Sequence, residues 1–133
     1  RTAVNKVRNH VAGQLAEVLK DYVSVVVASS MERREGDEYA FNEPLLENLL
    51  GQEKFEKDVV LSMLFISPGR HAGPGGDIAE IRHEAEKKSD GLRTFASSLF
   101  ATHPGVVDLL AERYAEGLSG NPIAGEVPAP DTR

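Results

Sequence analysis

Apolar residues in the first stretch of the chain recur at steps of three and four: Val4, Val7, Val11, Leu15, Val18 and Leu19. That spacing places them on one face of a helix over about residues 3–20, with Lys6, Arg8, Gln14, Glu17 and Lys20 on the polar face. Asp21 breaks the pattern. Tyr22 to Ala28 then reads YVSVVVA, dense in β-branched residues, and predicts a buried strand.

Ser29 to Asn42 is polar and charged and reads as a long, mobile loop. Asn42 has the chemistry of a helix N-cap, Glu43 suits the positive end of a helix, and Pro44 suits its first turn. Leu45, Leu46, Leu49 and Leu50 follow at helical spacing, so a second helix is expected over about 43–54.

Asp58 to Ile66, DVVLSMLFI, is apolar without alternation, the signature of a strand buried on both faces. It gives way to a Gly/Pro-rich turn, Ser67 to Asp77. The next helix begins near Asp77, carries Ile78, Ile81 and Ala85 on one face, and runs out at Ser89-Asp90-Gly91. Leu92 to Leu99 is a third, weaker strand. Ala101-Thr102-His103-Pro104 turns into a last helix over about 105–117, through Val106, Val107, Leu109, Leu110 and Tyr114. Gly, Pro, Ala and Asn dominate from Leu118, so 118–133 is expected to be a disordered tail behind a single domain over 1–117.

The order α-β-α-β-α-β-α predicts an α/β fold, an open parallel sheet flanked by helices on both faces. A helix with no strand before it breaks that alternation, and a first strand upstream of Arg1 would restore it. A sheet lacking its first strand exposes backbone on its neighbours, so the chain is expected to be poorly stable or to aggregate.

Length and composition narrow the function. A chain of 133 residues is one domain's worth of core. The net charge of −6 argues against nucleic-acid binding through a basic surface. The absence of cysteine removes disulfides, thiolate metal sites and a cysteine nucleophile. No apolar run approaches the roughly 20 residues of a membrane-spanning helix.

In open α/β sheets, ligands bind past the carboxyl ends of the strands. Glu32, His71 and His103 each follow a predicted strand at that edge. A carboxylate and two imidazoles suit a borderline divalent metal such as Co²⁺, Fe²⁺ or Ni²⁺. A structural role is the competing reading for His103, since Thr102-His103-Pro104 can simply start a helix. His10 and His83 lie mid-helix among charged neighbours and read as solvated surface. Gly69, Gly73, Gly75 and Gly76 before a helix could cradle a phosphate, with Arg70 favouring an anion beside them. No Gly-Lys-Ser/Thr and no G-x-G-x-x-G order accompanies them, and no G-x-S-x-G elbow supports acyl transfer.

Val59 to His71, VVLSMLFISPGRH, followed by Asp77-Ile78, resembles the signature of the sirohydrochlorin chelatases, the small class II chelatases. That family has a buried strand, then Pro-Gly-Arg/Lys-His, then a helix opening with Asp-Ile. Leu92 to Pro104 resembles its next strand and His-Pro turn, and Val106 to Tyr114 its following helix. Met31-Glu32 with Glu43-Pro44, and the stretch Arg1 to Asn5, are similar to its earlier elements. The resemblance covers about residues 1–117. The family's first strand ends in His-Gly-Ser, which would fall before Arg1. Its spacing from the motif histidine to Asp-Ile is shorter than here, where Ala72 to Gly76 intervene, and Arg33 to Phe41 is a further insertion.

The resemblance implies a chelatase-like, flavodoxin-like topology and insertion of Co²⁺ or Fe²⁺ into sirohydrochlorin, in cobalamin or sirohaem synthesis. It implies His71 as metal ligand or proton acceptor with Glu32 assisting, and Arg70, Ser67, Gly69 and His103 as substrate contacts. Arg1, Arg33 and Arg34 could add pairing to the substrate's carboxylates. The metal is a substrate, so no permanently bound cofactor is expected. A homodimer is also implied, with neither nucleic acid nor membrane as partner, in the cytoplasm or, in a photosynthetic eukaryote, the plastid stroma. A non-catalytic tetrapyrrole- or metal-binding domain and a phosphate-binding flavodoxin-like module are the alternatives.

Overall fold

The computed structural model describes residues 2–31 and 34–120. Glu32 and Arg33, together with Arg1, fall outside the described residues, as does most of the predicted tail. Helix α1 spans Thr2–Leu19, α2 Leu46–Leu49, α3 Asp77–Lys88 and α4 Gly105–Ser119; the strands are β1, Asp58–Leu61, and β2, Arg93–Ala96. Short 3-10 segments cover Asp37–Asn42 and Phe100–Thr102. Among the described residues no helix is long and apolar enough to cross a membrane.

The sheet is a parallel pair with Asp58 opposite Arg93, Val59 opposite Thr94, Val60 opposite Phe95 and Leu61 opposite Ala96. Successive side chains alternate between faces. Leu61, Thr94 and the flanking Met63 and Leu92 are therefore buried with Leu46, Leu50 and Ile78, and Val59, Ile81 and Ala85 pack around them. Helices α2 and α3 thus cover one face. The other face is open: Val60 is 70% exposed and Phe95 49%. The expectation of a sheet covered on both faces is corrected here, because α1 and α4 lie elsewhere and bring no apolar surface to Val60 and Phe95.

Helix α3 also closes the outer edge of β2. In a parallel ladder, alternate residues send both backbone groups to the same neighbour. Arg93 and Ser97 donate to Lys57 and Leu61 carbonyls at 2.9 and 3.0 Å, so Thr94 points the other way. There the Glu86 carboxylate accepts from Thr94 N–H at 2.7 Å, and Arg82 Nη2 donates to the Thr94 carbonyl at 2.8 Å. Arg93 and Asp58, partners across the ladder, form a two-pronged ion pair with both N–O distances 2.7 Å.

Several expected elements take another form. Tyr22 to Ala28 is not a strand: among the described residues it joins no ladder, and only Ser30 beyond it bridges Leu45. β-branched composition disposes a segment to be extended, but a strand exists only beside a hydrogen-bonding neighbour. The second helix shrinks to α2, entered through Leu45 rather than Asn42, with the Glu43 carboxylate accepting from Leu45 N–H at 2.9 Å. The loop before it contains the 3-10 turn Asp37–Asn42. Helix α1 sits where predicted, but Val4 and Val18 of its apolar stripe are 70% and 72% exposed. Its polar side makes the attachment: Asn5 donates to the Phe41 carbonyl, and Arg8 reaches Ser30 Oγ and the Asn42 and Glu43 carbonyls. Partial burial at that junction lowers the Arg8 guanidinium below its ordinary value.

The sheet's acid sensitivity follows from its edge contacts. The bond to Arg93 holds the Asp58 carboxyl below its ordinary value, and bonds from the Thr94 hydroxyl and N–H do the same for Glu86. Folded values below unfolded ones mean stabilisation that is complete above the unfolded values and lost as pH falls through the lowered ones. Thermal unfolding of the wild type should therefore lose stability on acidification through 4.5 and 3.8, the ordinary values for the two groups. A variant carrying Asp58→Asn and Glu86→Gln should show a flatter acid limb. Equal slopes for the two proteins would contradict the edge contacts.

Candidate functional site

Beyond Leu61 the chain leaves the ladder and enters the turn Ser67 to Gly76, which folds on itself. Gly73 N–H donates to the Gly69 carbonyl at 2.8 Å and Gly76 N–H to the Gly73 carbonyl at 3.0 Å. The loop then closes onto α3, where Asp77 and Ile78 N–H donate to the Arg70 and His71 carbonyls at 3.2 and 3.1 Å. The first amides of a helix lack intrahelical partners, and here the strand-end loop supplies them. The extra residues Ala72 to Gly76 are looped out as a closed turn, and His71 is returned to the start of α3.

Gly76 makes that closure sterically feasible. A Cβ there would stand 2.5 Å from the Arg70 carbonyl oxygen and 2.9 Å from that of His71. The requirement is close backbone approach rather than an unusual dihedral, since φ at Gly76 is −79°.

The closure brings His71 Nδ1 into a hydrogen bond with Asp77 Oδ2. The side chains are 45% and 40% exposed, so the pair is accessible from solvent. An acceptor carboxylate at Nδ1 selects the tautomer with its proton there, and the neutral ring then carries its lone pair on Nε2. His71 is thereby fitted to accept a proton or to ligate a metal ion through Nε2.

His103 is placed differently. Its Nδ1 accepts from Gly105 N–H at 3.0 Å, at the entrance to α4. The neutral ring then carries its proton on Nε2 and offers a donor rather than a lone pair. The helix-starting role weighed for Thr102-His103-Pro104 is the one observed. His103 also lines a hollow of about 570 Å³ with Ser62, Ser97, Ser98 and Thr102, between the strand ends and α4. His71 is not part of that hollow. Among the described residues no group of three or more His, Asp and Glu side chains is gathered for a metal ion; Glu32, expected beside His71 and His103, lies outside them.

The remaining expected contacts lie along one loop. Ser67, Gly69 and Arg70 are exposed, and the Arg70 guanidinium has no hydrogen-bond partner among the described residues. His10 and His83 are exposed on α1 and α3, as surface residues. Asp77, the partner of His71, was not singled out for a role from the sequence. The available signal was an acidic residue opening a helix directly after a glycine-rich turn that contains a histidine.

Comparison with protein-family models, with curated proteins and with solved structures gives no match to this chain.

The loop closure is testable by denaturation. Gly76→Ala should destabilise the protein by about 1–3 kcal/mol, because the added carbon meets backbone rather than a yielding side chain. Gly13→Ala, inside α1 with nothing within 4 Å of the new carbon, should instead stabilise by about 0.5–1 kcal/mol. Urea midpoints of the two variants moving together would contradict the closed loop.

Proposed function

We propose that the chain inserts a divalent metal ion, Co²⁺ or Fe²⁺, into sirohydrochlorin, with His71 as the central group. The observation that supports this reading best is the His71–Asp77 hydrogen bond at the exposed loop beyond β1. Metal insertion requires the macrocycle's inner N–H protons to leave as the metal takes their place. An imidazole with its lone pair on Nε2 can accept such a proton, or hold the incoming metal transiently, near neutral pH. Asp77 fixes the orientation and tautomer of the ring. Arg70, exposed and next to His71, suits the peripheral carboxylates of the substrate. His103 offers an N–H donor for the same periphery. The cellular location that accompanies this reading is the cytoplasm or the plastid stroma.

The phosphate-binding alternative is less well supported by the same loop. The amides of Gly73, Gly76, Asp77 and Ile78 are already engaged by loop carbonyls. The Asp77 carboxylate at the start of α3 would in addition repel an anion there.

The test is anaerobic incubation of the chain with sirohydrochlorin and Co²⁺ or Fe²⁺, following the visible spectrum against a protein-free control. Wild type should accelerate insertion and His71→Ala should abolish the acceleration. Asp77→Asn should reduce it by about 10–100-fold, the usual cost of removing a carboxylate that orients a metal-handling histidine. A spectrum that shifts on binding without faster insertion would reject catalysis and leave a tetrapyrrole-binding domain.

A further inference from the structure

The two strands part just past their ladder. The bond from Ser97 N–H to the Leu61 carbonyl, at 3.0 Å, is a regular rung. In a continuing parallel ladder the Ser97 carbonyl would then accept from Met63 N–H. The Ser97 hydroxyl accepts that bond instead, at 2.9 Å. The segments meet again where Phe100 N–H donates to the Phe65 carbonyl at 3.0 Å. Between these points lies the hollow that His103 lines, with Val106 and Leu109 of α4 along it.

Three donors in the hollow are uncommitted. The Ser97 hydroxyl donates to the Ser98 carbonyl at 2.9 Å and the Thr102 hydroxyl to the Leu99 carbonyl at 2.7 Å, so their protons are taken. The Ser62 and Ser98 hydroxyls have no partner among the described residues. His103 accepts at Nδ1 from Gly105 N–H, which leaves its Nε2–H as a donor. Among the described residues no Lys, Arg, Asp or Glu side chain lines the hollow, and Phe100, Val106 and Leu109 supply apolar surface. Two hydroxyl protons and an imidazole N–H, with no acid beside them, suit one carboxylate. Its two oxygens offer about four acceptor positions. A bond to an ionised acceptor is roughly twice as strong as a neutral one.

The hollow adjoins the loop that carries His71. The Phe65 carbonyl that holds Phe100 belongs to the segment running into that loop, six residues before His71. Both therefore belong to the strand-end edge at which open α/β sheets bind ligands. On the reading that sirohydrochlorin is the substrate, we propose that the hollow receives one of its carboxylate arms, bonded by the Ser62 and Ser98 hydroxyls and His103 Nε2–H. Phe100, Val106 and Leu109 cover the methylenes of that arm. Arg70 pairs with a different arm by charge, and the two contacts together orient the macrocycle at His71. A contact made by neutral donors is little affected by salt, whereas a guanidinium pair at the surface is screened.

The test is anaerobic titration of the full chain with metal-free sirohydrochlorin, read in the visible spectrum. Ser62→Ala combined with Ser98→Ala should raise the dissociation constant about tenfold. The factor should be the same at about 0.05 and 0.5 M salt. A second measurement needs no substitution: the nitrogen-15 signal of His103 Nε2 should shift when the wild type is saturated with sirohydrochlorin. An unchanged dissociation constant in the double variant, or a His103 signal that stays in place, would overturn the subsite while leaving the chemistry of His71 standing. Weakened binding in the double variant, with no acceleration of metal insertion by the wild type, would uphold the subsite and reject catalysis. Absence of sirohydrochlorin binding by the wild type would overturn both.

Discussion

Helix α3 connects the His71 loop, the apolar cluster and the outer edge of the sheet. Its first two backbone amides are tied to the carbonyls of Arg70 and His71. The side chain of Ile78, the second residue of the helix, enters the apolar cluster with Leu61, Met63 and Leu92. Further along, Arg82 and Glu86 close the outer edge of β2 at Thr94. The same twelve-residue element thus anchors the loop, fills the core and terminates the sheet. Displacing its first turn would separate His71 from Asp77 while also unpacking Ile78.

This arrangement accounts for the different chemistry of the two histidines that follow the strands. Both rings bond through Nδ1, but to groups of opposite character. The Asp77 carboxylate accepts a hydrogen bond from His71 Nδ1–H, whereas Gly105 N–H donates to His103 Nδ1. One ring is left with a lone pair and the other with a donor. Position after a strand brings a residue to the ligand-binding edge, and the group bonded to Nδ1 decides what the ring can do there.

Much of the local structure was legible in the sequence, and the reason is locality. Three- and four-residue spacing located α1, α3 and α4 closely, and the Pro-Gly-Arg-His turn placed His71 in the loop after β1, although that strand ends at Leu61 rather than at Ile66. What depended on partners distant in sequence was not legible. Tyr22 to Ala28 has strand composition but no strand beside it. The valine stripe of α1 predicts burial, yet the helix is attached through Asn5 and Arg8 because the carbonyls of Phe41, Asn42 and Glu43 lie on that side. The apolar run at β1 reads as buried on both faces, but Val60 faces solvent. The pairing of Asp77 with His71 was not legible because it is visible only once the loop closes and brings Asp77 back across six positions to His71.

The account rests most directly on the state of the His71 ring. Nitrogen-15 chemical shifts of the imidazole, measured where the ring is neutral, report which nitrogen carries the proton. The structure predicts protonation at Nδ1 in the wild type, and a shift toward the Nε2-protonated form favoured by free histidine in Asp77→Asn. An Nε2-protonated His71 in the wild type, unchanged by that substitution, would contradict the account.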